Sequence, residues 1–208
     1  SGSKYHHQLA AEPKQAAPRK DTVTRAVPLD ALYKCYHIFP RVDERYYTMD
    51  LITDLLSGGG SSRLHQSLVK EKKLFSNIEC YHFGSIDAGL LNIEGKLVKG
   101  VKMEAAEQAL QEELSRLQQE RISEKELQKV KHKAESLIAF EDMSVLNRAN
   151  NLAFYELLGD AGMMNTEMDH YQAVTSDDIL QQAQAVFDEN NSVTLYYLSD
   201  NQMNQPSQ

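Results

Sequence analysis

The chain has 208 residues, 41% of them hydrophobic and 25% charged, the ordinary mix of a globular domain. No stretch approaches the ~18 consecutive apolar residues of a membrane span, and no basic-then-apolar leader opens the sequence. The net charge is −8; residues 1–27 are basic (+3), so the remainder carries −11, which argues against duplex nucleic acid as a partner because phosphate binding needs Lys and Arg on one face.

Residues 1–20 are rich in Ala, Pro, Lys and Gln without apolar periodicity and read as a linker or arm; His6-His7 lies in it as an incidental pair. A single α+β domain is expected over 21–200, followed by a frayed tail at 201–208. Thr22–Val27 and Ala31–Phe39 are β-branched and aromatic and predict two strands, the second stopped by Pro40. Asp43 is the expected N-cap of a helix over 44–57, in which Leu51, Ile52, Leu55 and Leu56 fall at helical spacing. Gly58-Gly59-Gly60 ends it, and Ser61 or Ser62 is expected to cap a short helix holding Leu64 and Leu68. Strands follow at 74–83 and 90–98, joined by Gly84–Gly89; the second puts Leu91, Ile93 and Leu97 on one face and Asn92, Glu94 and Lys96 on the other.

Helices fill the second half. One runs over 102–120. Ser123-Glu124-Lys125-Glu126 is a capping box that opens a long run, with a stripe through Leu127, Val130, Ala134, Leu137 and Ile138. The pattern blurs at Phe140–Ser144, where a break is expected, and resumes through Leu146, Ala149, Leu152 and Ala153 to end near Gly159. Thr175 caps a helix over 176–187; Val193–Leu198 is a last strand, and Ser199–Gln208 is expected to fray. Strands do not alternate regularly with helices, so the fold class is α+β: a mostly antiparallel sheet covered on one face by helices.

Catalytic chemistry is sparse. Seven histidines are scattered, and none forms the H-x-x-x-H step that sets two imidazoles on one helical face. His132-Lys133-Ala134-Glu135-Ser136 falls one ligand short of the inverted motif H-x-x-E-H, because serine cannot replace an imidazole on zinc. Cys35 and Cys80 each have a histidine two residues on, His37 and His82; on a strand that spacing shares a face without supplying activating geometry. The glycine run at 58–60 follows a helix and lacks the Lys of a phosphate loop, so it reads as a helix–helix joint.

Tyr47–Phe83, YTMDLITDLLSGGGSSRLHQSLVKEKKLFSNIECYHF, resembles the C-terminal, non-zinc half of insulinase, pitrilysin and mitochondrial-processing-peptidase-like zinc peptidases. The resemblance rests on the order of Leu55–Gly59, Ser61-Ser62-Arg63-Leu64, the passage from Leu68 to Leu74, Asp87–Leu91, and the stretch Tyr171–Ile179. It covers roughly 22–198 and implies two similar α+β halves closed around a peptide. One half bears H-x-x-E-H and zinc; the other has neither and closes the chamber. Here the helix where that motif would stand reads Asp50-Leu-Ile-Thr-Asp-Leu-Leu-Ser57, so the resemblance implies the closing half, with the sheet and this helix as chamber wall. No catalytic, cofactor-binding or metal-ligating residue is assigned to the chain. Zinc is expected in the missing N-terminal half or a partner subunit, and unfolded peptides are the expected substrates.

Many closing halves carry an Arg and a Tyr that grip substrate; Val69 and Ser76 stand at those positions and supply neither charge nor phenol. In two-subunit relatives the partner often provides that pair, which implies a subunit of such an enzyme or one without activity. Two other readings stay open: an assembly domain of a catalytically inactive relative, and an unrelated α+β interaction domain.

Overall fold

The computed structural model describes residues 13–84 and 86–200. Of the arm expected over 1–20, residues 1–12 with His6-His7 lie outside the described residues, as does the tail at 201–208, while Arg19 and Lys20 belong to a strand. Five strands form one sheet: β1 (Arg19–Arg25), β2 (Ala31–Ile38), β3 (Phe75–Phe83), β4 (Gly89–Leu97) and β5 (Ser192–Ser199). They lie in the order β1-β5-β2-β4-β3, and every neighbouring pair is antiparallel except the parallel β1–β5.

Strand alternation decides which face is covered. β4 turns Leu91, Ile93 and Leu97 inward, as its pattern predicts, and β2 adds Leu32, Tyr36 and Ile38. On β3 the inward residues are Phe75, Ile78 and Cys80. The three-residue step from Phe75 to Ile78 arises because the register slips between Phe75 and Asn77, leaving Ser76 as the extra residue of a bulge. Gly95 faces the Phe75 ring so closely that a Cβ there would stand 2.5 Å from it; glycine is what lets the ring lie flat on β4.

The inner face carries α1 (Arg45–Ser57), α2 (Met103–Gln119) and α6 (Ser176–Val186). α3 (Glu124–Glu141) and a short α5 (Glu167–Ala173) pack on the far side of α1, and α4 (Val145–Leu158) follows α3 after the expected break. The middle of α1 is core, with Leu51, Ile52 and Leu56 fully buried, each worth about 1.5–3 kcal/mol relative to exposure. Tyr36 and Phe187 meet edge-on at 5.2 Å and join β2 to the end of α6. Both predicted caps form: Ser123 Oγ accepts the Glu126 N–H while Glu126 accepts the Ser123 N–H, and Thr175 and Asp178 repeat the exchange.

Four local expectations are corrected. The N-cap of α1 is Glu44; Asp43 sits one residue earlier, where its carboxylate still accepts the Arg45 N–H. Neither Ser61 nor Ser62 caps the next segment, a π-helical turn over His65–Glu71 that follows Leu64. Ser199 belongs to β5, its N–H held by Asp30. The apolar stripe thins after Ala134: Ile138 still packs against the core, but Leu137 is half exposed, and Leu146, Ala149, Leu152 and Ala153 of α4 are all exposed. Periodicity reports an apolar face, not whether this chain covers it.

A polar cluster sits under the sheet. Lys34 points inward between Leu32 and Tyr36, and Glu107 of α2 meets it at 3.5 Å, together with Lys20 at 2.7 Å and the Tyr196 hydroxyl at 2.5 Å. Burial pushes the Glu107 carboxyl up, but hydrogen bonds from Lys20 and Tyr196 and the Lys34 charge outweigh it and hold it below its ordinary value of 4.5. Glu126 is likewise lowered: Arg63 and the Ser123 N–H overcome the effect of burial. A carboxyl whose folded pKa is depressed stabilises the fold above its unfolded value, and that stability is lost as pH falls through the folded value. The unfolding midpoint is therefore expected to drop as pH falls below about 4.5, and Glu107→Gln to flatten that slope. An unchanged slope in Glu107→Gln, followed by thermal melts from neutral to acid pH, refutes the assignment.

Candidate functional site

α1 is the helix on which the resemblance would place a zinc motif, and here it is taken up by core packing and by acids engaged with neighbouring side chains. Leu51, Ile52, Leu55 and Leu56 turn into the core. The acids Asp50 and Asp54 fall one turn apart on the other side. The Tyr171 hydroxyl of α5 donates to Asp50 at 2.7 Å. The Lys133 ammonium of α3 lies 2.6 Å from Asp54. Burial lifts the Asp54 carboxyl above its ordinary value, and the hydrogen bond and charge of Lys133 offset this only in part. At the C-terminal end, Ser57 Oγ donates to the Cys80 carbonyl and accepts the Cys80 N–H, which pins α1 to β3.

His82 of β3 closes the cluster from the sheet side. Its side chain is 5% exposed, and Nε2 stands 3.9 Å from Asp50, beyond hydrogen-bond reach, with no other hydrogen-bond partner among the described residues. Burial pushes the imidazole below its ordinary value; Asp50 pulls it back only partly, and the Arg41 charge deepens the depression. A neutral imidazole, a tyrosine-bound carboxylate and an ammonium-bound carboxylate do not make a zinc site, which needs three converging ligands and an open position. No group of three His, Cys, Asp or Glu side chains among the described residues is placed to hold a metal. The residues present do not fit the metal that the zinc halves require.

Arg41, in the turn after β2, organises the neighbouring wall. Its guanidinium lies 4.0 Å from the Tyr46 ring centre and donates to the Tyr155 hydroxyl at 2.9 Å and to Glu167 at 2.8 Å. Thus α1, α4 and α5 meet on one cation. Nothing in the local sequence marks this arginine as buried, because its hydrogen-bond partners, Tyr155 and Glu167, are far along the chain.

The other sequence candidates stay apart. His132 and Glu135 are exposed on α3, and the Ser136 hydroxyl donates back to the His132 carbonyl, as on a solvated helix face. Cys35 donates to Asn92 at 3.0 Å on the open face of the sheet, whereas Cys80 is buried in the core; burial pushes both thiols up, the reverse of what a nucleophilic cysteine needs. Val69 packs against the core, and Ser76 donates to the Lys96 carbonyl from the β3 bulge, so neither offers a grip on substrate.

The open face of the sheet bears a row of half-buried and exposed aromatic rings. Tyr33 and Tyr197 meet edge-on at 6.2 Å, Tyr81 and Phe83 at 5.4 Å, and Phe83 and Leu90 are exposed beside them. No helix among the described residues is long and apolar enough to cross a membrane.

Comparison with known proteins agrees with this geometry. Residues 2–134, more than half of the chain, match the family model described as the peptidase M16 inactive domain. An uncharacterized zinc protease of Bacillus subtilis, YmxG, is 26% identical over 159 residues, which is 76% of this chain and 39% of that protein. A protease from Helicobacter pylori superposes with a TM-score of 0.89 at 22% identity over 95% of this chain and 48% of its own. The inactive peptidase domain of a zinc protease from Bordetella parapertussis gives 0.77 at 22% identity, over 85% of this chain and 96% of its own. The chain therefore spans less than half of the curated relative, and the structural likenesses establish its fold. Sequence match, sheet topology and a helix without ligands converge: the chain belongs to the family of peptidase M16 inactive domains.

Proposed function

We propose that this chain is the non-catalytic closing half of a zinc metalloendopeptidase, walling a peptide-binding chamber with a zinc-bearing half that lies outside the sequence. The observation that carries the reading is α1 itself, which is spent on core leucines and on two acids, one hydrogen-bonded by Tyr171 and the other paired with Lys133. A helix committed in this way serves shape rather than chemistry, so the metal and the general base must come from elsewhere. The aromatic open face of the sheet supports a role in lining a chamber for unfolded peptide, since aromatic rings provide contact area at low conformational cost.

The test is metal analysis and peptide cleavage on the parent protein beside this chain. About one zinc per parent is expected, with cleavage of an unstructured peptide that a chelator abolishes, and neither property in the isolated chain. A parent that binds no zinc and cleaves nothing overturns the reading in favour of an assembly domain.

A further inference from the structure

The helical corner formed by the end of α3 and the start of α4 is built like a buried element and is not buried. Phe140, Met143, Val145, Leu146, Leu152 and Leu157 are between 52% and 82% exposed. Tyr155 is the one buried residue of α4. The helix is nevertheless well terminated: Ser144 Oγ accepts the Asn147 N–H, and Gly159 closes the far end with a φ of 117°. A groove of about 370 Å³ between α4 and the turn at 161–165, lined by Val145, Ala149, Leu152 and Met164 among others, extends the same apolar surface.

A run of large apolar side chains on one projecting corner exceeds the scattered singles that a monomer surface carries, and such patches mark contact sites. Charge narrows the occupant. α4 carries one cation, Arg148, and one anion, Glu156; a helix made for a membrane surface carries a basic polar face. Chain length narrows it further, because the match covers 39% of one relative and 48% of another, so in those proteins at least as much chain again lies outside the matched part.

We propose that the α3–α4 corner is the docking ridge by which this domain seats against the zinc-bearing half of its parent protein. The proposal rests on the closing-half reading and adds the surface through which the halves join. It also accounts for the helical stripe that runs on past Ala134 and, Ile138 apart, lies largely uncovered among the described residues.

The test is the double substitution Phe140→Asp with Leu146→Asp, made both in the parent protein and in this chain alone. Both side chains are exposed here, so the isolated chain is expected to keep its melting temperature. The parent is expected to lose about 5 °C or more at the step that separates its halves. Equal melting temperatures for substituted and unsubstituted parent overturn the proposal. Concentration-dependent dimers of the isolated chain, lost on the same substitutions, reassign the ridge to a second copy. Binding of the isolated chain to phosphatidylglycerol vesicles, lost likewise, reassigns it to a membrane. Zinc content of the parent separates the two claims: a ridge-dependent parent without zinc refutes the closing-half reading and leaves the ridge as the seat of a remaining half that holds no metal.

Discussion

Arg41→Ala is expected to lower the unfolding free energy by about 3 kcal/mol and to release α4 from the body of the domain. The arginine side chain is 6% exposed and Glu167 17%, so removing the cation strands a largely buried carboxylate, the costly way to break such a pair. The same substitution removes one partner of the Tyr155 hydroxyl, which also hydrogen-bonds Glu167, and Tyr155 is the anchor of α4. Arg41→Lys keeps the charge but loses the planar face over Tyr46 and the forked donors, so it is expected to recover only part of the loss. Hydrogen exchange distinguishes a local from a global effect: amides of α4 should lose protection well before those of α2. Equal loss in both helices, or none in α4, would show that the latch is not what holds it.

Leu56→Ala is expected to cost about 3–4 kcal/mol, whereas Asp54→Asn should cost under about 1 kcal/mol. Leu56 is fully buried and its truncation leaves a cavity between α1 and the sheet. Asp54 meets a lysine that is 40% exposed and can turn to water when its partner loses charge. The contrast tests whether α1 is purely a packing element. Denaturant melts of the two variants decide it, and a costlier Asp54→Asn would mean that the helix retains a polar task beyond its ion pair.

The sheet is well written in the sequence because each strand declares its covered face by alternation: Leu91, Ile93 and Leu97 of β4 needed no tertiary information. The Ser123 and Thr175 caps are equally local, each resting on a residue three positions away. α5 is not legible, since seven residues with only Tyr171 buried give no measurable period. The strand order is not legible either, because nothing in Val193–Leu198 states that it lies between β1 and β2. At the candidate site the missing zinc motif is evident from residue identity alone. Its replacements are not: Lys133 reaches Asp54 across 79 positions, and Arg41 reaches Glu167 across 126. Such pairs are products of the fold and leave no local pattern. The exposed stripe of α4 is the instructive case, where the periodicity marks an apolar face and the described residues supply no cover.

The position of β5 has a consequence for how the molecule is made. β2, β4 and β3 are close in sequence and can pair as soon as residue 97 leaves the ribosome, but β5, whose residues come at 192–199, must enter between β1 and β2. Until then β1 has no neighbour and β2 presents a bare row of backbone donors and acceptors, the template on which nascent chains stick to one another. Pairing so distant in sequence is slow, because loop closure comes before the contacts that reward it. Completion of the sheet is thus a late event of synthesis, and the nascent domain is a natural client for chaperones throughout residues 98–191.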